Sequence, residues 1–211
     1  MKSFYTLESG VPGVRLATPA DEGEIFGLLL MLHAENAFFG LNRDKVRAGI
    51  QWATRRQGGI IFCIDQGPRI VATLGMGIAV DWYSDDEYLL EKWNYVHPEY
   101  RRGTDYARKL IEQSKWSSDW FKAQGDNMPF QCGIISTIRT EAKVRLYARH
   151  LLCVGANFLY GHTPRRDDKV QTELRQIEEL NRRRTDDGRR EIDPTVKTIL
   201  RVSQREEDHV R

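Results

Sequence analysis

Cysteine is scarce in this chain and carries no pattern. The 211 residues hold three, Cys63, Cys132 and Cys153, odd in number, widely spaced and with no Cys-x-x-Cys pair. That argues against a disulfide framework or a zinc site and for a reducing compartment. Long hydrophobic runs are missing too. The apolar stretch Gly27 to Ala34 (GLLLMLHA) falls short of the roughly 20 residues a membrane-spanning helix requires. The opening MKSFYTLESGVPG holds no apolar run of signal-peptide length. Charge of one sign is absent as well: 32 Lys and Arg stand against 30 Asp and Glu, a net +2, so nothing global points to nucleic acid or a membrane. There is no internal repeat. The expected place is the cytoplasm, and 40% hydrophobic residues suffice for one sizeable core plus an extension.

What is present is organised around Tyr88 to Leu110, YLLEKWNYVHPEYRRGTDYARKL. Tyr88 to Val96 is rich in aromatic and aliphatic residues and stops at His97-Pro98, where a ladder cannot continue. Arg101, Arg102 and Gly103 form a compact basic turn, and from Thr104 the spacing becomes helical, with Ala107, Leu110, Ile111 and Ser114 on one face. A basic turn feeding a helix start suits an anion such as a pyrophosphate, because the first N–H groups of a helix lack internal partners and the dipole favours negative charge there.

Around that stretch the elements fall in a definite order. Gly13 to Ala17 reads as a short strand. Thr18-Pro19-Ala20-Asp21 is a helix start, and the helix runs to Leu32, with His33 to Leu41 a loop. Asn42 caps a second helix over Arg43 to Gln57. Ile60 to Asp65, Ile70 to Trp82 and the central strand make a three-strand antiparallel meander. The central helix extends to about Gln124, a fifth strand spans Pro129 to Ser136, a helix Arg139 to Leu152 and a last strand Gly155 to His162. Beyond Thr163 the composition shifts. Residues Pro164 to Arg211 carry 13 Lys/Arg and 12 Asp/Glu and almost no aromatics, a charged and partly helical arm unable to form a core of its own. Two domains follow: 1–163 and the arm, 164–211.

The segment Arg102 to Ala107 resembles the acyl-CoA-binding motif of the GNAT family of N-acetyltransferases, which runs strand, Arg/Gln-x-x-Gly-x-Gly/Ala, helix. Arg102 takes the first position and Ala107 the last, while Asp105 stands where the family usually has Gly. The element order is also that of the family, over roughly residues 13 to 163. The resemblance implies an α/β fold with a mixed α+β sheet: the GNAT acyl-CoA N-acyltransferase fold, its central, mostly antiparallel sheet splayed between strands 4 and 5 and flanked by helices. It implies acetyl-CoA as cosubstrate, no metal, and transfer of the acetyl group to a primary amine by direct attack in a ternary complex. Arg101, Arg102, Gly103, Thr104, Asp105, Tyr106 and Ala107 would then hold the pyrophosphate, and the Val96 backbone N–H would polarise the thioester. Leu146-Tyr147 with Gly155 and Phe158 resembles the family's fourth helix and gives Tyr147 the role of proton donor to the leaving sulfur, against its plainer reading as a half-buried helix tyrosine. Thr140 sits where the family often has an Asn that contacts the pantetheine arm.

The general base is less legible. Glu91 on the central strand, Asp81, Glu35 and His33 are the candidates. Glu91 lies five residues before Val96, so strand period two puts it on the opposite face unless a bulge intervenes; otherwise it is a paired surface carboxylate. The stretches HAENAFFGLNRDKV, VHPEYRR and KVRLYAR look like acetyltransferases of phages and prophages, which adds host cytoplasm or virion to the expected places. Two rivals remain. One is a catalytically inactive GNAT-fold assembly or virion-associated protein, favoured by Asp105 and the arm. The other is a nucleic-acid adaptor working through the arginines of the arm, disfavoured by its interleaved acids. Expected partners are an amine acceptor, no membrane, and a second copy or larger assembly through the arm.

Overall fold

A computed structural model describes residues 4–36, 39–134 and 139–152 of the chain. The last strand and the charged arm expected from the sequence lie outside these residues.

Strand β1 is only Arg15–Leu16, and a short 3-10 turn at Pro19–Asp21 leads into α1, Glu22–Glu35. The turn is built as its sequence suggests: the Thr18 backbone N and Oγ1 both donate to Asp21 Oδ2, at 2.7 and 2.9 Å. Helix α1 runs three residues past the expected Leu32. Its end is closed by Asn36, whose backbone N donates to the Leu32 and His33 carbonyls, and Glu35 in its last turn is anchored from across the domain. Helix α2, Arg43–Thr54, starts where Asn42 Oδ1 accepts the Lys45 amide at 2.9 Å, and ends three residues before the expected Gln57.

Strands β2 (Gly59–Gln66), β3 (Arg69–Val80) and β4 (Glu87–Val96) form the expected antiparallel meander, with β1 pairing β2 in the same sense. Helix α3 is Tyr106–Ala123, β5 is Phe130–Gln131 and α4 is Thr140–Ala148. The sheet order is β1-β2-β3-β4-β5, and β5 joins parallel to β4 at Leu89↔Phe130 and Leu90↔Gln131. The fold is thus a mixed α/β structure whose mostly antiparallel sheet carries one parallel edge.

Both faces of the sheet are covered, which is why β2 and β3 read as apolar runs rather than alternations. Ile60, Phe62 and Ile64 of β2, with Leu74 and Met76 of β3, face α3 through Leu110 and Phe121. Ile61 and Cys63 face α1 and α2 through Ile25, Leu28 and Ile50. No described helix is long and apolar enough to cross a membrane, and no cluster of three or more His, Cys, Asp or Glu among the described residues is arranged to hold a metal ion.

Candidate active site

The site is prepared by an irregularity in β4. The register between β3 and β4 shifts from Gly75↔Trp93 to Met76↔Glu91, so Lys92 is an extra residue, a β-bulge. The bulge removes the parity that otherwise separates Glu91 from Val96. Glu91 stands opposite Met76 and Val96 opposite Ala72, four residues apart on β3 and hence on one face. The intervening bulge that Glu91 needed is there.

The same ladder fixes the direction of the Val96 amide. The His97 N–H donates to the Val71 carbonyl at 2.8 Å, which makes that pair hydrogen-bonded. In an antiparallel ladder the neighbouring pair then turns its peptide groups outward, so the Val96 N–H points away from β3. On that outer side the β4–β5 ladder reaches only Leu90 among the described residues. The donor expected at the splay has therefore been left without a strand partner there.

Beside the bulge, α4 brings in Tyr147. Its hydroxyl lies 3.0 and 2.9 Å from the two oxygens of Glu91 and donates to that carboxylate. Burial pushes the Glu91 carboxyl up to about 7, a rise that the Tyr147 hydrogen bond only partly offsets. Burial, and then the adjacent Glu91 charge, raise Tyr147 well above the ordinary tyrosine value, so it keeps its proton at neutral pH. Glu91 is thus a half-buried group with a neutral-range pKa, not a surface carboxylate. The pair forms part of the wall of a cavity of about 990 Å³, with Asn94 and Cys132 at its side and residues of α1 and α2 opposite.

At the turn before α3 the expected residues divide. Gly103 has φ +74, in the left-handed region that favours glycine, and a Cβ there would meet nothing within 4 Å. The backbone N–H groups of residues 102 to 108 donate to no described residue, so a row of donors converges on the helix start. Arg102 is exposed and makes no ion pair or hydrogen bond with a described residue. Thr104 Oγ1 donates to the Tyr100 carbonyl, and Tyr106 reaches Gln66 with its hydroxyl at 2.8 Å. Ala107 packs against the apolar core on the α3 side.

Asp105 needs no special backbone, with φ −107 and ψ 16. Its carboxylate stands in solvent, bonded to Arg108 at 2.5 Å and 3.5 Å from Lys109. Slight burial pushes it up, but these cations outweigh that and hold it below the usual carboxylate range. Much of the charge that an incoming anion would meet is therefore already matched.

Arg101 departs from its expected place as an anion ligand. Its Nε donates to the Val96 carbonyl at 2.8 Å, its Nη2 pairs with both oxygens of buried Glu35 at 2.7 and 2.9 Å, and its backbone N donates to the Pro98 carbonyl. The Tyr95 hydroxyl also donates to Glu35, at 2.8 Å. Glu35 is accordingly a structural anchor, not a base. Asp81 caps the β3–β4 hairpin by accepting the Trp82 amide at 2.8 Å, out in solvent. His33 lines the cavity. Thr140 opens α4, seven residues before Tyr147.

Sequence reasoning missed Asn94 and Lys92, and read Lys143 as a contact for the adenosine phosphates or part of an ordinary solvated face. Asn94, two residues from Val96, lies beside the Tyr147 hydroxyl. Lys143, one turn before Tyr147, lies half-buried near Glu35 and Arg101; burial lowers its pKa, Glu35 opposing and Arg101 reinforcing that. Lys92, the bulge residue, lines the cavity. The i, i+4 spacing of Lys143 and Tyr147 was the one available signal.

A five-stranded sheet with a parallel edge that leaves β4 after Leu90, a bulge beside that opening, and a glycine turn before the central helix together define the GNAT acetyltransferase fold. No family model matches the sequence, and no curated protein matches it. Solved structures match its shape. A possible acetyltransferase from Clostridium difficile 630 is 17% identical with a TM-score of 0.55, covering 71% of this chain and 96% of its own. AAC(6')-Iy, in complex with a bisubstrate analogue, CoA-S-monomethyl-acetylneamine, is 14% identical with a TM-score of 0.53, covering 70% and 95%. The aminoglycoside 6'-N-acetyltransferase AAC(6')-IG from Acinetobacter haemolyticus is 12% identical with a TM-score of 0.51, covering 73% and 99%.

Proposed function

We propose that the chain is an N-acetyltransferase of the GNAT family that takes acetyl-CoA as donor and a primary amine as acceptor, with direct attack in a ternary complex. The observation that carries this reading is the Tyr147–Glu91 pair, set in a cavity wall beside the bulge where β5 leaves β4. Acetyl-CoA supplies the acyl group as an activated thioester. The residues present fit it: the amides of 102 to 108 and the exposed Arg102 suit a diphosphate, and the outward Val96 N–H suits a polarised carbonyl oxygen.

Each residue then has one task. The acceptor ammonium gives its first proton to solvent, and Glu91, near pKa 7, takes the second as nitrogen bonds to the carbonyl carbon and the carbon–sulfur bond breaks. Tyr147 holds its own proton at Oη and gives it to the departing sulfur, while Glu91 hands back the proton it accepted across the 2.9 Å contact. The pair returns to its starting state with one net proton moved from nitrogen to sulfur. The Val96 N–H stands where negative charge develops on the carbonyl oxygen.

The non-catalytic reading keeps two observations in its favour: Arg101 is withdrawn from the anion turn, and Asp105 adds a carboxylate to it. Thermal unfolding with acetyl-CoA, CoA and ATP, together with thiol release on an amine panel, separates the two. A ligand that binds only the folded state at a hundredfold excess over its dissociation constant adds roughly 2.7 kcal/mol. A midpoint raised by acetyl-CoA and CoA but not ATP, with thiol release, supports the enzyme. No shift in the natural chain, with one gained by Asp105→Gly, supports the inactive component.

A further inference from the structure

The charge of the cavity bears on what enters it. Among the described lining residues Glu91 is the only carboxylate, and Tyr147 already donates to it. Three lysines from three different elements face the same space: Lys45 of α2, Lys92 of β4 and Lys143 of α4. Neither Lys45 nor Lys92 has an ion pair or a side-chain hydrogen bond to a described residue. The Lys45 amide is capped by Asn42, and its ammonium is left over. Lys92 is carried by the bulge and lies across the bare backbone of Gly77, where a Cβ would stand 3.1 Å from its Cε and 3.9 Å from its Nζ. Aromatic rings, Trp52 and Trp93 among them, form much of the remaining wall.

A cleft walled by one sign of charge and by apolar surface focuses its field on whatever enters. Here the field attracts an anionic group and repels a second cation, because like charges brought together in such a site are strongly disfavoured. The amine itself is received at Glu91. The lysines need something else on the same molecule, and the rings need an apolar body.

We propose that this pocket takes a primary amine that also carries a carboxylate and a large apolar group, as an amino acid or short peptide with an aromatic side chain does, and that Lys45 and Lys92 select for the carboxylate. This rests on the acyltransfer reading above for its chemistry, but not for its binding. It sets the chain apart from the aminoglycoside acetyltransferases that share its shape, since aminoglycosides are polycations.

The test is calorimetric titration of the whole protein with L-tryptophan, with tryptamine, which lacks only the carboxylate, and with kanamycin. Tryptophan is expected to bind at least about tenfold more tightly than tryptamine, and kanamycin most weakly. The double variant Lys45→Glu, Lys92→Glu is expected to lose or invert that order with its unfolding midpoint unchanged. Equal binding of tryptophan and tryptamine, absence of tryptophan binding, or preferred binding of kanamycin overturns the proposal. Adding acetyl-CoA to the same samples and following thiol release tests the reaction separately. Selective binding without release keeps the pocket assignment and removes the enzyme; release with kanamycin as the preferred acceptor does the reverse.

Discussion

The two ends of β4 are built from similar residues and treated differently. From Glu87 to Leu90 the strand is held on both sides, by β3 and, through Leu89 and Leu90, by β5. From Trp93 to Val96 it is held by β3 alone among the described strands. The first end contributes Leu89, fully buried, to the core under α3. The second contributes an outward amide, and the bulge between the ends turns Glu91 toward Tyr147. Pairing makes scaffold, and its loss leaves a backbone donor pointing outward. The cost of exposing that donor is confined to a few residues because the rest of the sheet is paired and buried.

The largest expected effect breaks the open end. Glu91→Gln and Tyr147→Phe are each expected to lower kcat/KM by about 10²–10⁴-fold, read by thiol release, with the double variant no worse than the poorer single one. In the natural chain the rate should climb as pH rises through about 7, where Glu91 loses its proton, and Glu91→Gln should erase that limb. The stability sign is opposite. The fold raises this carboxyl from 4.5 to about 7, so its contribution is present below the ordinary carboxylate value and lost as pH climbs through 7. Well above pH 7 Glu91→Gln should therefore be more stable than the parent by on the order of 3 kcal/mol, measured by denaturant unfolding.

Next comes the arginine pair that the sequence presents as equals. Arg101→Ala takes from the buried Glu35 carboxylate its two arginine hydrogen bonds and should cost roughly 3–5 kcal/mol of unfolding free energy. Gly75→Val, on β3 opposite Trp93, is the apolar counterpart beside the second end of β4. A Cβ at Gly75 would fall 2.4 Å from the Trp93 ring, so the ring must move, at about 1–3 kcal/mol by the same assay. Arg102→Ala should be the mildest. Stability should stay within about 0.5 kcal/mol, as for an exposed residue without partners, while acetyl-CoA affinity falls several-fold by calorimetry. A large stability loss at Arg102, or none at Arg101, would undo the division between them.

Element order, the capped start at Thr18 and the antiparallel meander were legible because they rest on local signals, such as caps, breaks and period. Tyr147 and Glu91 were each visible, but not as a pair, since 56 positions separate them and only packing of α4 on the sheet joins them. The bulge at Lys92 carries no signature of its own; a register shift exists only relative to a partner strand. Arg101 read as an anion ligand because its neighbours are basic, and Glu35, 66 positions away, took it instead. The length of β5 was overestimated for a related reason. Pro129 to Ser136 has strand composition, but pairing is recorded only at Phe130–Gln131, and 135–138 lie outside the described residues.

Gln113, fully buried on α3, accepts from Ser9 Oγ at 3.0 Å and from the Gly10 and Val11 amides at 3.1 and 3.2 Å, while Phe4 stacks edge-on against Phe121. The Trp116 ring fills the space over Gly10 that a side chain would take. These contacts join partners more than a hundred positions apart, the slowest kind to form by chain diffusion. During synthesis residues 4–11 emerge before α3 and have no helix to dock on until it follows. Phe4 and Leu7 must wait with their apolar surface open until their partners on α3 arrive.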